Sequence, residues 1–217
     1  PGQSPRAWET ELGEALAFGT GHLSLYQLTI EPGTRFWALA AKGALVIPDG
    51  DAAADLFDAT QALTRAAGLP RYEVSNHARP GEESRHNLTY WRYGDYAGVG
   101  PGAHGRRLGQ ATERHKKPEN FIAAVERNGH GLKLESDLPP HERATEAMLM
   151  GLRLTEGADL ARIEARSGLA RETFLDAVAA ARIAGQGLIR QAGDRLIVTD
   201  EGILLLDSIL SEVVRTG

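Results

Sequence analysis

The sequence holds no cysteine, so disulfides, thiolate nucleophiles and cysteine-ligated metals lie outside what its 217 residues can build alone. It also lacks any apolar run near the ~20 residues that span a bilayer, and it lacks a secretory h-region. Positive charge is not in excess. Twenty-four Lys and Arg stand against 29 Asp and Glu, and a net charge of -5 leaves no broad electropositive face for a nucleic-acid backbone. Nor does the chain open with methionine: Pro1-Gly2-Gln3-Ser4-Pro5 reads as the interior of a longer protein. What is present is a globular composition. A hydrophobic fraction of 42% and a mean hydropathy of -0.29 exclude a disordered chain and supply core for one large or two small domains.

The densest chemistry lies between Ser84 and Gly105, SRHNLTYWRYGDYAGVGPGAHG. This stretch combines His86-Asn87, Tyr90-Trp91, Asp95, Pro101, His104 and five glycines at 94, 98, 100, 102 and 105. Such a mixture predicts a site loop rather than a helix or strand. Glycines let the backbone take positive φ and approach a ligand without an intervening Cβ. The aromatic and imidazole groups beside them can stack on, or ligate, a flat conjugated molecule.

Around that segment the pattern is α/β. Ser4 as N-cap, Pro5 at the first helical position and a Trp8, Leu12, Ala15, Leu16 face predict a first helix, ended by Gly19 and Gly21. His22 to Ile30 reads as a strand apolar on both faces, as expected of a parallel strand covered on each side. A short helix near Phe36–Ala41, an amphipathic helix over 51–67 closed by Gly68, and a strand over Tyr72–Ser75 follow. From about His141 the grammar changes to helices over Ala144–Leu154, Leu160–Arg166 and Arg171–Ile183. Two short strands around Ala192-Gly193-Asp194 and a last helix over Gly202–Val214 complete it. Three helices, a hairpin and a helix predict a winged-helix-like module. Residues 141–217 carry nine Arg, no Lys and twelve acidic residues, and this balance favours a structural or protein-facing module over a DNA-binding one.

Each candidate residue has a bland and a functional reading. His86 and His104 can ligate iron, or can cap and brace their loop. Asn87 suits an Asx turn. Tyr90, Trp91, Tyr93 and Tyr96 can stack on a ligand or pack a lid. His115, Lys116 and Lys117 form a basic patch that is either a solvated loop or a partner for carboxylates.

With these residues in view the chain resembles the second half of the HemW-type radical S-adenosylmethionine (SAM) family, haem chaperones related to oxygen-independent coproporphyrinogen III oxidase. PGQS with Trp8, HLSLYQLTIEPGT, YEVSNHARPG, ESRHNLTYWRYGDYAGVGPGAHG and EAMLMGLRLTEG are similar to the family's segments in the family's order.

The resemblance implies an α/β fold. Residues 1–140 would be the last portion of a partial (β/α)6 radical SAM barrel, with 22–30 as its sixth strand. Residues 141–217 would be a small α+β winged-helix-like domain. It implies a cytoplasmic protein that binds haem and delivers it to apo-haemoproteins of the respiratory chain, meeting a membrane peripherally through those partners and binding no nucleic acid. It maps haem contact onto His86, Asn87, Tyr90 and Trp91, with His86 as axial ligand, and SAM contact onto Gln27 and the Ala103-His104 step. The family's four-iron four-sulphur cluster is held by cysteines that this sequence lacks, so this chain alone is not expected to catalyse. The alternative within the family is a coproporphyrinogen III oxidase acting by radical decarboxylation.

Overall fold

The computed structural model describes residues 1–215, and the chain divides into two compact units, Pro1–Ser84 and a second that begins at Arg85. In the first, α1 (Pro5–Ala17) begins as its cap predicts: Ser4 Oγ accepts the Ala7 N–H at 3.2 Å. The long helix α3 (Gly50–Ala66) is capped by Asp49, which accepts from Ala52 N at 2.9 Å. α1 and α3 pack together, and the Trp8 indole donates to Thr60 Oγ1 at 2.7 Å across them. The short α2 (Arg35–Ala41) lies between these two in sequence. The sheet of this unit holds β1 (His22–Ser24), β2 (Arg71–Glu73) and β3 (Asn76–Ala78) in the order β1-β3-β2, antiparallel throughout.

Here the structure corrects the expected parallel strand over 22–30. Its ladder is three residues long and runs antiparallel, with His22 opposite Ala78 and Ser24 opposite Asn76. β3 is no longer than that, so after the Leu25 N–H bonds the Ser75 carbonyl at 2.8 Å the chain has nothing further to pair with. Tyr26 and Leu28 are left 75% and 40% exposed. The tight β2–β3 turn is closed by the fully buried Glu73, whose carboxylate accepts from Asn76 Nδ2 at 2.6 Å and Ser75 N at 3.2 Å.

The second unit opens with α4 (Arg85–Trp91) and a sheet of β4 (His104–Arg107), β5 (Gln110–Arg114) and β6 (Leu132–Asp137), antiparallel in that order, with α5 (Pro118–Asn128) between the last two strands. Then come α6 (Pro140–Gly151), β7 (Ala158–Asp159), α7 (Leu160–Ser167), α8 (Ala177–Gly185), β8 (Ile189–Ala192), β9 (Arg195–Val198) and α9 (Leu206–Val213). Strands β7, β9 and β8 make a second antiparallel sheet, in that order. Its core includes Met148, Leu152, Leu160, Phe174, Ile189 and Val213, all essentially inaccessible. Burying one such aliphatic side chain contributes about 1.5–3 kcal/mol.

Two further expectations are corrected. Ser84–Gly105 is not one loop, because it contains helix α4 and the start of β4. The helix foreseen over 171–183 is broken: a 3-10 turn spans Arg171–Thr173, and α8 starts only after Asp176. Asp176 caps α8 by accepting from Val178 N and Ala179 N, while Phe174 and Leu175 turn into the core. Among the described residues no helix is long and apolar enough to cross a membrane.

Candidate functional site

Helix α4 gathers the candidate haem-contact residues on seven positions. His86 is exposed, and Tyr90, four residues on, lies on the same face. Their rings meet edge-on with centroids 4.7 Å apart, and the Tyr90 hydroxyl lies 3.1 Å from His86 Nε2. Asn87 Oδ1 stands 3.4 Å from His86 Nδ1. Tyr96 extends the row, its ring 4.3 Å from that of Tyr90. Burial pushes the Tyr96 phenol above its usual range.

Trp91, at the helix end, faces another way. The Arg153 guanidinium lies 4.5 Å above its ring, and its buried indole N–H meets no acceptor. Past it the chain reverses through Tyr93, a non-glycine residue at φ 49. Tyr93 is fixed by a contact that sequence reasoning missed. Its hydroxyl donates to Glu146 Oε2 at 2.6 Å, and Arg106 donates to both oxygens of the same carboxylate at 3.1 and 2.9 Å. Burial and the Glu146 hydrogen bond both push the Tyr93 phenol up. Burial would raise Glu146 too, but the hydrogen bonds from Arg106 and Tyr93 outweigh it and hold the carboxyl below its usual range. The sequence carries no signal for it, because α6 also holds His141, Glu142, Arg143 and Thr145 and a glutamate at 146 does not stand out.

The glycine segment is a close crossing of backbones. A Cβ on Gly98 would fall onto the His104 carbonyl, so only glycine fits there. Arg114 clamps the crossing by donating from Nε to the Gly98 carbonyl at 2.5 Å. Gly100 sits at φ 95, a conformation that side chains rarely adopt. Ala103 accepts from Arg114 N at 2.9 Å, and the exposed His104 pairs with Glu113 as the first residue of β4. Gln27 belongs to the first unit, where its side-chain amide donates to the Ala53 carbonyl at 2.8 Å. His115, Lys116 and Lys117 lie between β5 and α5, with Lys116 and Lys117 exposed. Among the described residues no three His, Asp or Glu side chains form a metal-binding cluster.

Comparison with known proteins gives this geometry its context. Residues 138–205 match the HemN C-terminal domain. The structure of the Escherichia coli coproporphyrinogen III oxidase HemN, described as a radical SAM enzyme, is similar with a TM-score of 0.72, over 97% of this chain and 52% of that one. At 19% identity that likeness shows the fold alone: the chain is an α/β protein with the architecture of the matching part of HemN. In sequence it is 36% identical to the mouse "Radical S-adenosyl methionine domain-containing protein 1, mitochondrial", over 97% of this chain and 50% of that protein. It is 36% identical to the heme chaperone HemW of Escherichia coli, over 97% and 54%, and 32% identical to that of Bacillus subtilis, over 94% and 54%. The chain spans about half the length of the curated relatives it matches. It belongs to the HemW family of HemN-like proteins.

Proposed function

We propose that this chain carries the haem-binding part of a haem chaperone, with α4 as the contact. The observation that carries the reading is the exposed His86 imidazole, braced by Asn87 on one ring nitrogen and by the Tyr90 hydroxyl on the other. The donor set fits haem. A hydroxyl is a weak partner that Nε2 can exchange for iron, and an acceptor on Nδ1 fixes the tautomer a ligating imidazole needs. His86 would hold the haem iron through Nε2, with Tyr90 beside the macrocycle and Asn87 holding the imidazole plane, and the bound haem would supply the iron that is handed on. Trp91 anchors the helix end.

Gln27 and the Ala103-His104 step are each proposed to contact SAM, Gln27 by turning its amide from the Ala53 carbonyl. A four-iron four-sulphur cluster would find no thiolate ligand in these 217 residues, so any cluster is held outside them. The bound haem would pass to apo-haemoproteins, of which respiratory ones are our choice, with membrane contact made through them. We read residues 1–140 as barrel-derived and 141–217 as a winged-helix-like domain. The second is supported by the order α6, β7, α7, α8, β8, β9, α9 and by the family match over 138–205.

Haem titration of the chain and of its His86→Ala, Tyr90→Phe and His104→Ala variants tests the assignment. A shifted, weakened Soret band is expected in His86→Ala, with His104→Ala close to the parent. A Soret band unchanged in His86→Ala overturns the ligand. Decarboxylation of coproporphyrinogen III by a cluster-bearing full-length homologue that binds no haem would overturn the chaperone reading in favour of an oxidase.

A further inference from the structure

The second unit contains a cleft of about 500 Å³ that the haem reading does not use, apart from sharing Trp91 at its edge. Residues from the end of α4, the β4–β5 turn, α6, the 156–159 segment and α7 line it. Seven arginines face it against three carboxylates, Asp95, Glu156 and Asp159. Most of the cations are matched. Arg92 grips Glu156 with two bonds of 2.8 and 2.9 Å, Arg166 reaches Asp95 at 2.5 Å, and Arg195 lies 3.5 Å from Glu156 and 3.6 Å from Asp159. Arg106 is held by Glu146, and Arg107 stands 3.6 Å from Glu135.

Two are not matched. Among the described residues the guanidinium groups of Arg143 and Arg162 make no hydrogen bond or ion pair, and Arg143 Nε is buried without a partner. The Trp91 indole N–H, buried and without an acceptor, lines the same cleft. All three unmatched groups are donors. The cost of burial falls on two of them, Arg143 Nε and the Trp91 N–H, since a buried donor without an acceptor is costly; Arg162 is exposed and adds its positive charge at the mouth, near Asp95. What the cleft lacks is therefore oxygen acceptors carrying negative charge. Space has been left for one of these donors: a Cβ on Gly109 would stand 2.9 Å from Arg143 Nη1. Leu138, Ala147, Leu154 and Ile163 give the lining an apolar side that suits a carbon body.

We propose that this cleft binds an organic oxyanion, with its carboxylate or phosphate groups on the forks of Arg143 and Arg162 and an oxygen accepting from the Trp91 indole. Planar guanidinium groups match both oxyanions with paired hydrogen bonds. No residue proposed to ligate haem iron lines the cleft, so an oxyanion can bind there whether or not His86 holds haem.

Calorimetric titration of the chain with pyrophosphate, and separately with succinate, at 0.15 M salt tests the proposal and distinguishes the two sources of charge. One saturable site for at least one probe is expected. It should weaken by at least about tenfold in Arg162→Gln and in Arg143→Gln, the loss expected when a charge-assisted hydrogen bond is removed, and stay unchanged in Arg182→Gln, whose partner Glu212 lies outside the cleft. Arg162 is exposed, so its variant retains the fold and settles the matter should Arg143→Gln prove unstable. Absence of saturable binding for both probes, or unchanged affinity in Arg162→Gln, overturns the proposal.

Discussion

His77 should make the first unit sensitive to acid in a window set by one side chain. It stands in β3 opposite Leu23, is 1% exposed, and neither ring nitrogen has a hydrogen-bond partner. It faces a cavity of about 270 Å³ that Trp8, Thr60, Gln61 and Val74 also line. Burial, with the nearby charges of Arg71 and His22, lowers its pKa from 6.5 to about 4. The imidazole is thus neutral when folded at pH 7, and the unfolded chain takes up a proton first as pH falls. The contribution of His77 to folding stability is therefore level above 6.5, is lost between 6.5 and about 4, and is level again below. The gap between the two values, at about 1.4 kcal/mol per pH unit, is about 3 kcal/mol. Following the histidine ring protons by NMR against pH gives the folded value directly, and His77→Leu identifies the resonance. Urea unfolding at pH 7 and pH 4 should then show a loss in the parent that exceeds the loss in His77→Leu by about 3 kcal/mol. A His77 resonance titrating near 6.5, or equal acid losses in the two proteins, would refute the reasoning.

Two other perturbations address the loop that carries the candidate residues. Glu146→Gln leaves the partly buried Arg106 without its counter-ion, and should cost about 2 kcal/mol in thermal or denaturant unfolding; a loss below 0.5 kcal/mol would mean that the pair behaves as a solvent-screened surface bridge. Gly98→Ala pushes a methyl onto the His104 carbonyl and should cost on the order of 2 kcal/mol, while Val99→Ala, at an exposed neighbour, should cost almost nothing. Equal unfolding midpoints for the two would show that the crossing yields.

What could be read from the sequence follows how local the determining physics is. The start of α1 was legible because Ser4 and Pro5 act within one turn, and the β8–β9 hairpin because Gly193-Asp194 marks its turn and Leu196-Ile197-Val198 its apolar strand. α4 was not legible. His, Asn, Thr, Tyr and Trp are modest helix formers, and a sequence full of site residues reads as a loop until its neighbours hold it. The sheet β4-β5-β6 escaped because its strands are largely half-exposed or exposed and carry few of the apolar residues that signal a strand. At the site, the need for glycine at 98 was visible as composition, but its cause, a carbonyl six residues on, was not. The pairing of Tyr93 with Glu146 across 53 residues left no local trace, and neither did the two unmatched arginines.

The shortness of α4 has one more consequence. Seven residues cannot hold a helix in water by themselves, since isolated helices are marginal below about 12 residues. The turn that displays His86 therefore depends on what grips its far end, at Trp91 and Tyr93. Whatever seats itself against Trp91 will alter how firmly the imidazole is offered, and by thermodynamic reciprocity a ligand on His86 will alter that seat in equal measure.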